Sequence, residues 1–224
     1  MADPETYKTE LIAHSMSVNA LKFGEFVLKS GRISPYFFNA GLLSTGPILQ
    51  TLSSAYAHTL SSSLRQSTLP PFDVLFGPAY KGIPFAATTA LTLFMQHAIE
   101  VGFAYDRKEA KDHGEGGRMV GAELRGKKVV VLDDVMTSGK AIRGAIEGVI
   151  AAGGEVVGVV QLLDREEVGS DGKSSTVEEI EGVVGKGRVV SVLKMRDLMD
   201  WLEEKGMRDE LEKMKVYRDA YGLK

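Results

Sequence analysis

Residues 128–132 read KVVVL, an apolar run with no polar residue after its first position. A strand with one face in water alternates apolar and polar side chains, whereas an uninterrupted run is typical of a strand buried on both faces. Such strands occur almost only in parallel sheets that are covered by helices on both sides. The run therefore predicts a strand that is buried on both faces in a helix-covered α/β sheet.

Short apolar segments alternate with helical patterns through much of the chain, which favours a mainly parallel sheet. We expect a single α/β domain over residues 1–224 with an N-terminal extension. The predicted strands are 73–76, 100–105, 128–132, 156–163 and 188–193, and the predicted helices are 3–29, 45–63, 83–98, 140–152, 197–206 and 207–221.

Composition excludes several classes of protein. Hydrophobic residues make up 44% of the 224, which is enough for a buried core. With 27 Lys and Arg against 30 Asp and Glu, the charge of −3 argues against a strongly basic nucleic-acid binder. The absence of cysteine excludes disulfides, thiolate metal sites and a cysteine nucleophile. With no signal-peptide pattern and no apolar run of membrane-spanning length, we expect a soluble, cytoplasmic protein that binds neither membrane nor nucleic acid.

Each predicted strand is followed by charged or glycine-rich residues. The segments are GPAYKGIP, DRKEAKDHGEGGR, DDVMTSGKA and DREE. In open parallel sheets, ligands bind beyond the carboxyl ends of the strands. Four such segments at one edge therefore predict a single site there.

The segment DDVMTSGKA is the most specific. Asp133 and Asp134 leave a buried strand, and the loop 137–139 leads into a helix whose N–H groups and hydroxyls suit a phosphate. The two carboxylates can accept hydrogen bonds from sugar hydroxyls or support a hydrated Mg²⁺. The simpler alternative is a helix cap beside two solvated acids. A nucleotide P-loop is excluded, because it needs glycine where Asp134 stands and a hydroxyl residue where Ala141 stands.

The segment VVVLDDVMTSGKA resembles the phosphoribosyl-diphosphate motif of the type I phosphoribosyltransferases. FVLKSGRISPYFFNAG, GPAYKGIP, DRKEAKDHGEGG and LLDREE resemble, in the same order, segments of the orotate phosphoribosyltransferases. The resemblance spans residues 26–167. It implies a type I phosphoribosyltransferase-like sheet flanked by helices, a base-binding hood from residues 1–45 and part of the C-terminal region, and a flexible lid loop at 106–118. Lys140 departs from the hydroxyl residue of many members, which leaves its backbone N–H for the phosphate.

The resemblance also implies a reaction. The 5-phosphoribosyl group would pass from phosphoribosyl diphosphate to N1 of orotate, giving orotidine 5′-monophosphate and pyrophosphate in UMP biosynthesis. Mg²⁺ would arrive with the diphosphate, near Asp133 and Asp134 and without direct protein ligation. The lid would reach a neighbouring subunit's site, so we expect a homodimer.

Residue roles follow from the same resemblance. The catalytic residues would be Lys108, Lys111, His113, Asp133 and Asp134. Orotate would contact Phe37, Phe38, Thr137 and Arg165. Phosphoribosyl diphosphate would contact Lys29, Tyr80, Lys81, Arg107, Lys108, Lys111, His113, Asp133, Asp134, Val135, Met136, Thr137, Ser138, Gly139, Lys140 and Ala141.

Simpler interpretations stand beside these roles. The lid segment could be a solvated loop, and the phenylalanine pair could be core, with adjacent strand residues facing opposite sides. Arg165 could form a surface salt bridge with Asp164 or Glu166 rather than a fork to the orotate carboxylate. His14, His58 and His97 are expected to be structural.

Two other functions remain open. One is phosphoribosyl transfer to an uncharged base, which would not need Arg165. The other is a regulatory protein that binds phosphoribosyl diphosphate as a signal, although the chain shows no basic helix for a nucleic acid.

Overall fold

The computed structural model of the protein describes residues 4–28, 30–111, 117–169 and 174–223. Helices and strands follow one another in an order close to the predicted alternation. The helices are α1 (Pro4–Ser17), α2 (Gly46–Arg65), α3 (Gly82–His97), α4 (Lys140–Ala151), α5 (Thr176–Val184), α6 (Met195–Glu204) and α7 (Arg208–Tyr221), with a short 3-10 helix at Ala40–Leu42. The strands are β1 (Leu21–Val27), β2 (Ile33–Phe38), β3 (Val74–Phe76), β4 (Gly102–Lys111), β5 (Gly117–Gly121), β6 (Lys128–Asp133), β7 (Glu155–Asp164) and β8 (Val189–Lys194).

Within these described ranges, six strands form one sheet in the order β5-β4-β3-β6-β7-β8. All neighbours are parallel except β5, which pairs antiparallel with β4 at the edge. Strand β6 lies between β3 and β7, and residues 129–132 are fully buried. The α/β fold class and the burial of the KVVVL run on both faces are therefore confirmed.

Side chains on the two faces of the sheet enter two separate hydrophobic clusters, because successive strand residues point to opposite sides. One cluster includes side chains from α1, α2, α3, α6 and α7, and the other includes side chains from α4 and α5. On strands β3, β6 and β7, the first face carries Leu75, Val130, Leu132, Val160 and Leu162, and the second carries Val74, Phe76, Val129, Val131 and Val159.

The predicted helix over residues 3–29 is wrong in its second half. Helix α1 ends at Ser17, and Asn19 turns the chain with a φ of 59°. Residues 21–27 instead form β1, which pairs antiparallel with β2. Leu21 and Phe26 have the spacing of apolar residues on one face of the predicted helix, but hydrogen bonding to β2 and burial of Leu21 outweigh that local pattern.

The predicted loop at 106–118 is also partly strand. Strand β4 continues to Lys111, and β5 begins at Gly117 and pairs with it. Strand β4 lies next to the edge strand β5, and Lys108 and Glu109 are exposed. Because exposed strand residues can be charged, this part of the strand has the composition of a loop. Residues 112–116 of the predicted lid lie outside the described residues.

Helix α5 was missed altogether. It begins after Ser175, whose side chain accepts a hydrogen bond from the Glu178 N–H while the Glu178 carboxylate accepts one from the Ser175 N–H. This reciprocal capping box begins inside the polar stretch 168–176 (VGSDGKSST), whose loop-like composition concealed the start of the helix. Ile180 and Val184 then bury the inner face against the sheet.

The C-terminal helices α6 and α7 confirm the two predicted there. They bury Leu198, Trp201, Leu202, Leu211 and Met214. No helix in the described part of the chain combines the length and apolarity needed to cross a membrane.

We expect Ser175→Ala to lower the free energy of unfolding by about 1 kcal/mol, because it removes the cap of α5. Urea unfolding measures this loss. Glu181→Ala changes a side chain of the same helix outside the capping box and is the matched control. Equal stability of the Ser175→Ala variant and the wild type would contradict the role given to the cap.

Candidate active site

Strand β6 ends at the carboxyl edge of the sheet and is followed by the loop 134–139, which leads into α4. The Asp134 carbonyl accepts hydrogen bonds from the N–H groups of Leu162 (2.9 Å) and Leu163 (3.0 Å), which attaches the loop to β7. At Gly139 the chain enters α4 with a φ of 67°, a conformation that favours glycine. Thr137 and Ser138 are exposed just before the helix, so their hydroxyls can reach an anion at its N-terminus.

Helix α5 holds this loop from behind. The Thr176 hydroxyl donates to the Thr137 carbonyl (2.8 Å), and the Arg143 guanidinium donates to the Ser138 carbonyl (2.6 Å). Arg143 is in turn paired with Glu179 of α5 (3.1 Å). A trans peptide carries its N–H opposite its carbonyl, so the Ser138 N–H points away from Thr176 and the Gly139 N–H points away from the Arg143 guanidinium. Sequence reasoning missed Thr176, Arg143 and Glu179, since none of them belongs to a motif.

The two carboxylates that precede the loop have different surroundings. Asp133 is largely shielded from water, and its Oδ1 accepts a hydrogen bond from the Asp134 N–H (2.9 Å). Burial, followed by the charge of Asp134, raises the pKa of Asp133 to about 7. Asp134 pairs through Oδ2 with the Lys81 ammonium at 2.7 Å. Asp133 thus titrates near neutral pH while Asp134 carries an ion pair.

The GPAYKGIP turn lies beside this pair, between β3 and α3. Gly77 is required by packing, because a Cβ there would lie 2.0 Å from the Gly82 carbonyl oxygen. The Ala79 N–H donates to the Asp106 carboxylate on β4 (2.7 Å), and the Ala79–Tyr80 peptide is cis. Asp106 begins the predicted lid without any assigned role, and the sequence does not predict its contact with this turn. Another missed residue is Tyr56 of α2, whose hydroxyl donates to the Asp133 carbonyl (2.7 Å).

The lid residues meet the same turn in part. The Lys108 ammonium lies 4.8 Å above the ring of Tyr80, which is itself exposed. Arg107 is partly buried on the same strand. Lys111 ends β4, but its side chain, like His113 and Lys29, lies outside the described residues.

The predicted aromatic pair divides as expected for a strand. Phe37 is 42% exposed and lies 5.5 Å from the Phe26 ring, whereas Phe38 packs against the core. Phe37 is therefore the ring of the pair with more surface for a ligand.

Arg165 is buried, with 8% of its surface exposed, rather than on the surface. Its Nε donates to Glu167 (2.7 Å), its Nη2 donates to the Ser34 hydroxyl (2.9 Å), and the guanidinium lies 4.3 Å over the Tyr36 ring. The alternative of a surface salt bridge with Asp164 or Glu166 is wrong. Glu166 pairs with Arg196 instead, and Asp164 accepts the Glu166 N–H (2.8 Å).

The three histidines lie on the helical side, away from the loop. His14 contacts the Thr51 hydroxyl at 3.2 Å, and His58 lies between Tyr7 and His97. Across the residues that the structure describes, no group of three or more His, Asp or Glu side chains is placed to hold a metal ion. Asp133 and Asp134 are two oxygen donors, which suits contact with a hydrated Mg²⁺ held mainly by a substrate.

We expect Asp133→Asn to stabilise the fold at pH 8 and to do so less at pH 5. In the folded protein the pKa of Asp133 is raised to about 7, so ionisation of this carboxyl destabilises the fold increasingly as the pH rises from the lower pKa of the unfolded chain toward 7. The asparagine side chain does not ionise, so the substitution removes this destabilisation. The Asn Oδ1 can keep the hydrogen bond from Asp134. Thermal unfolding at both pH values measures the difference, and a pH-independent change in melting temperature would contradict it.

Comparisons with known proteins agree with this geometry. The family model described as "Phosphoribosyl transferase domain" matches residues 52–185. The chain is 47% identical to the orotate phosphoribosyltransferase of Thioalkalivibrio sulfidiphilus, over 98% of this chain and 100% of the relative. It is 46% identical to that of Acinetobacter baumannii over the full length of both. The solved orotate phosphoribosyltransferase of Francisella tularensis superposes with a TM-score of 0.81 at 38% identity, covering 96% of this chain and 100% of that one. The chain therefore belongs to the orotate phosphoribosyltransferase family.

Proposed function

We propose that this protein transfers the 5-phosphoribosyl group of phosphoribosyl diphosphate to N1 of orotate. The products are orotidine 5′-monophosphate and pyrophosphate. The observation that carries the proposal is the exposed hydroxyl loop 137–139 at the N-terminus of α4, which directly follows two carboxylates at the end of β6. The loop and the helix N-terminus suit the 5-phosphate, and the two carboxylates suit the ribose that connects this phosphate to the diphosphate.

The loop binds the 5-phosphate and thereby positions the sugar. The N–H groups of Ser138 and Gly139 and the hydroxyls of Thr137 and Ser138 supply donors, and the N-terminal end of α4 favours the dianion. Asp133 and Asp134 accept hydrogen bonds from the ribose hydroxyls. Pinning of the loop by Thr176 and Arg143 means that little rearrangement is needed when the phosphate arrives.

The bond to pyrophosphate breaks as N1 of orotate attacks from the opposite face of the anomeric carbon. Deprotonated orotate N1 is already a nucleophile, so no covalent enzyme intermediate is required. Negative charge develops on the oxygens of the leaving pyrophosphate. Lys81, which pairs with Asp134, and Lys108, which lies over the Tyr80 ring, are the cations that we assign to this charge. When bound with the diphosphate, Mg²⁺ supplies further neutralisation of that charge. Catalysis then rests on positioning and charge stabilisation.

Orotate differs from uracil by a carboxylate, and this group is the basis of recognition. Arg165 carries a buried guanidinium, which suits a carboxylate because its donors form a planar fork. The exposed ring of Phe37 offers an apolar surface to the flat base. We assign Phe37, rather than Phe38, to the base, with residues 1–45 as the hood.

A homodimer completes the proposal. Helix α3 presents three exposed apolar side chains, Leu91 (59%), Phe94 (62%) and Met95 (73%). Apolar side chains grouped on one helix surface are typical of an interface, and this face suits a second copy of the chain. We also propose a cytoplasmic location, in keeping with a chain that has no cysteine to form the stabilising disulfides typical of secreted proteins.

The decisive assay follows orotate absorbance in the presence of phosphoribosyl diphosphate, with and without Mg²⁺. Parallel reactions contain uracil, adenine or hypoxanthine. We expect Mg²⁺-dependent loss of orotate and no reaction of the other bases. Turnover of an uncharged base would overturn the assigned specificity, and saturable binding of phosphoribosyl diphosphate without any turnover would indicate a regulatory protein.

Sharing of the lid between subunits is tested with two inactive variants. We expect Lys108→Ala to lower turnover far more than it weakens orotate binding. We expect Asp133→Asn to lower turnover as well, because it changes a side chain that positions the ribose. Heterodimers of the two variants, isolated through two different affinity tags, should regain about half of wild-type turnover, because a lid acting in trans leaves one of two sites intact. Inactive heterodimers would show that each lid serves its own subunit.

A further inference from the structure

We propose that Glu167 is a positioning residue that orients the Arg165 guanidinium for the carboxylate of the base. This inference rests on the proposed function, in which Arg165 recognises that carboxylate. Glu167 follows Arg165 by two residues in the segment LLDREE, and nothing in the sequence distinguishes it from the neighbouring Glu166. In the structure the two glutamates have different partners: Glu167 pairs with Arg165 and Arg32, and Glu166 pairs with Arg196.

Glu167 is held between two arginines. Its Oε1 accepts from Arg165 Nε at 2.7 Å, and its Oε2 accepts from Arg32 Nη1 at 3.2 Å. Both oxygens of the carboxylate are therefore occupied, and its side chain is only 12% exposed. A carboxylate bonded at both oxygens has little freedom to rotate, so it fixes the direction of the Arg165 side chain.

Arg32 secures the other side of Glu167. Its guanidinium also donates to the carbonyls of Val168 (3.0 Å) and Gly169 (3.2 Å) and lies 4.8 Å over the Tyr221 ring. Arg32 precedes β2, the strand that carries Ser34 and Phe37. The same carboxylate thus links the hairpin of the base-binding side to the segment that carries Arg165.

The backbone around Glu167 is attached to the C-terminus of the chain. Glu167 forms an antiparallel bridge with Gly222, and the Val168 N–H donates to the Tyr221 carbonyl (2.9 Å). The Leu223 N–H donates to the Glu166 carbonyl (2.9 Å). Anchored backbone on both sides makes Glu167 a stable support rather than a mobile surface acid.

Charge gives a reason for this arrangement. In the ion pairs that they form, Arg32 and Arg165 bring two positive charges to the single negative charge of Glu167, an excess of one positive charge in these two largely buried pairs. Burial of an uncompensated charge is costly, and a carboxylate ligand would complete the neutralisation. An uncharged base would leave the excess in place. Arg32, Arg165 and Glu167 together therefore favour orotate over uracil, and the preference does not come from Arg165 alone.

The test compares Glu167→Gln and Glu167→Ala with the matched control Glu166→Gln. Glu166 belongs to the same segment, but its carboxylate pairs with Arg196 rather than with Arg165. Steady-state assays give KM for orotate and for phosphoribosyl diphosphate with each variant. Wild-type turnover of orotate is the prior requirement, and its absence would refute the proposed function rather than this inference.

We expect both Glu167 variants to raise KM for orotate by about tenfold or more, with KM for phosphoribosyl diphosphate nearly unchanged. The control should keep both values within about twofold of wild type. In an Arg165→Ala background, Glu167→Ala should add little further loss, because a residue that acts through Arg165 has nothing left to orient. Unchanged orotate KM in Glu167→Gln, or additive losses in the double variant, would overturn the inference.

Discussion

Burial of strand β6 between two layers of helices is the constraint on which the site depends. The strand is covered on one face by helices including α2 and α3, and on the other by α4 and α5. It ends at Asp133, where the covered part of the sheet stops and the Asp134 carbonyl binds to β7. An unsatisfied peptide group would be costly at this edge, so the loop that follows has little choice of path. The acids and the hydroxyl loop are thereby placed together.

Compensation of charge organises the rest of the site. Lys81 pairs with Asp134 on the diphosphate side, while Glu167 joins Arg165 and Arg32 on the base side. Arg165 and Glu167 both follow β7, but Arg32, Lys81 and Asp134 each lie beside a different element, so these charges meet only when the sheet and the N-terminal hairpin are assembled. Burial in the assembled site raises the pKa of Asp133 to about 7, so the charge of this carboxyl responds to pH near neutrality. Substrates that carry phosphate and carboxylate groups complete the balance.

Local pattern predicted the elements that are long, apolar or marked by a motif. Strand β6, helices α2, α3 and α4 and the loop 137–139 follow the prediction closely, because burial and the helix start leave their mark in neighbouring residues. The prediction failed where partners are distant in sequence. Strand β1 was assigned to a helix, the end of β4 was assigned to a loop, and α5 was hidden by the polar residues before it.

By itself, the sequence determined the class of fold, the order of the sheet-edge segments and the chemistry of a phosphate beside two acids. It did so because these properties reside in contiguous residues such as VVVLDDVMTSGKA. Only the tertiary structure decided that Glu167 and not Glu166 meets Arg165, that Phe37 and not Phe38 is exposed, and that Thr176 and Arg143 hold the loop. The physical reason is separation along the chain: Arg32 and Glu167 are 135 residues apart, and no local pattern records a contact made across that distance.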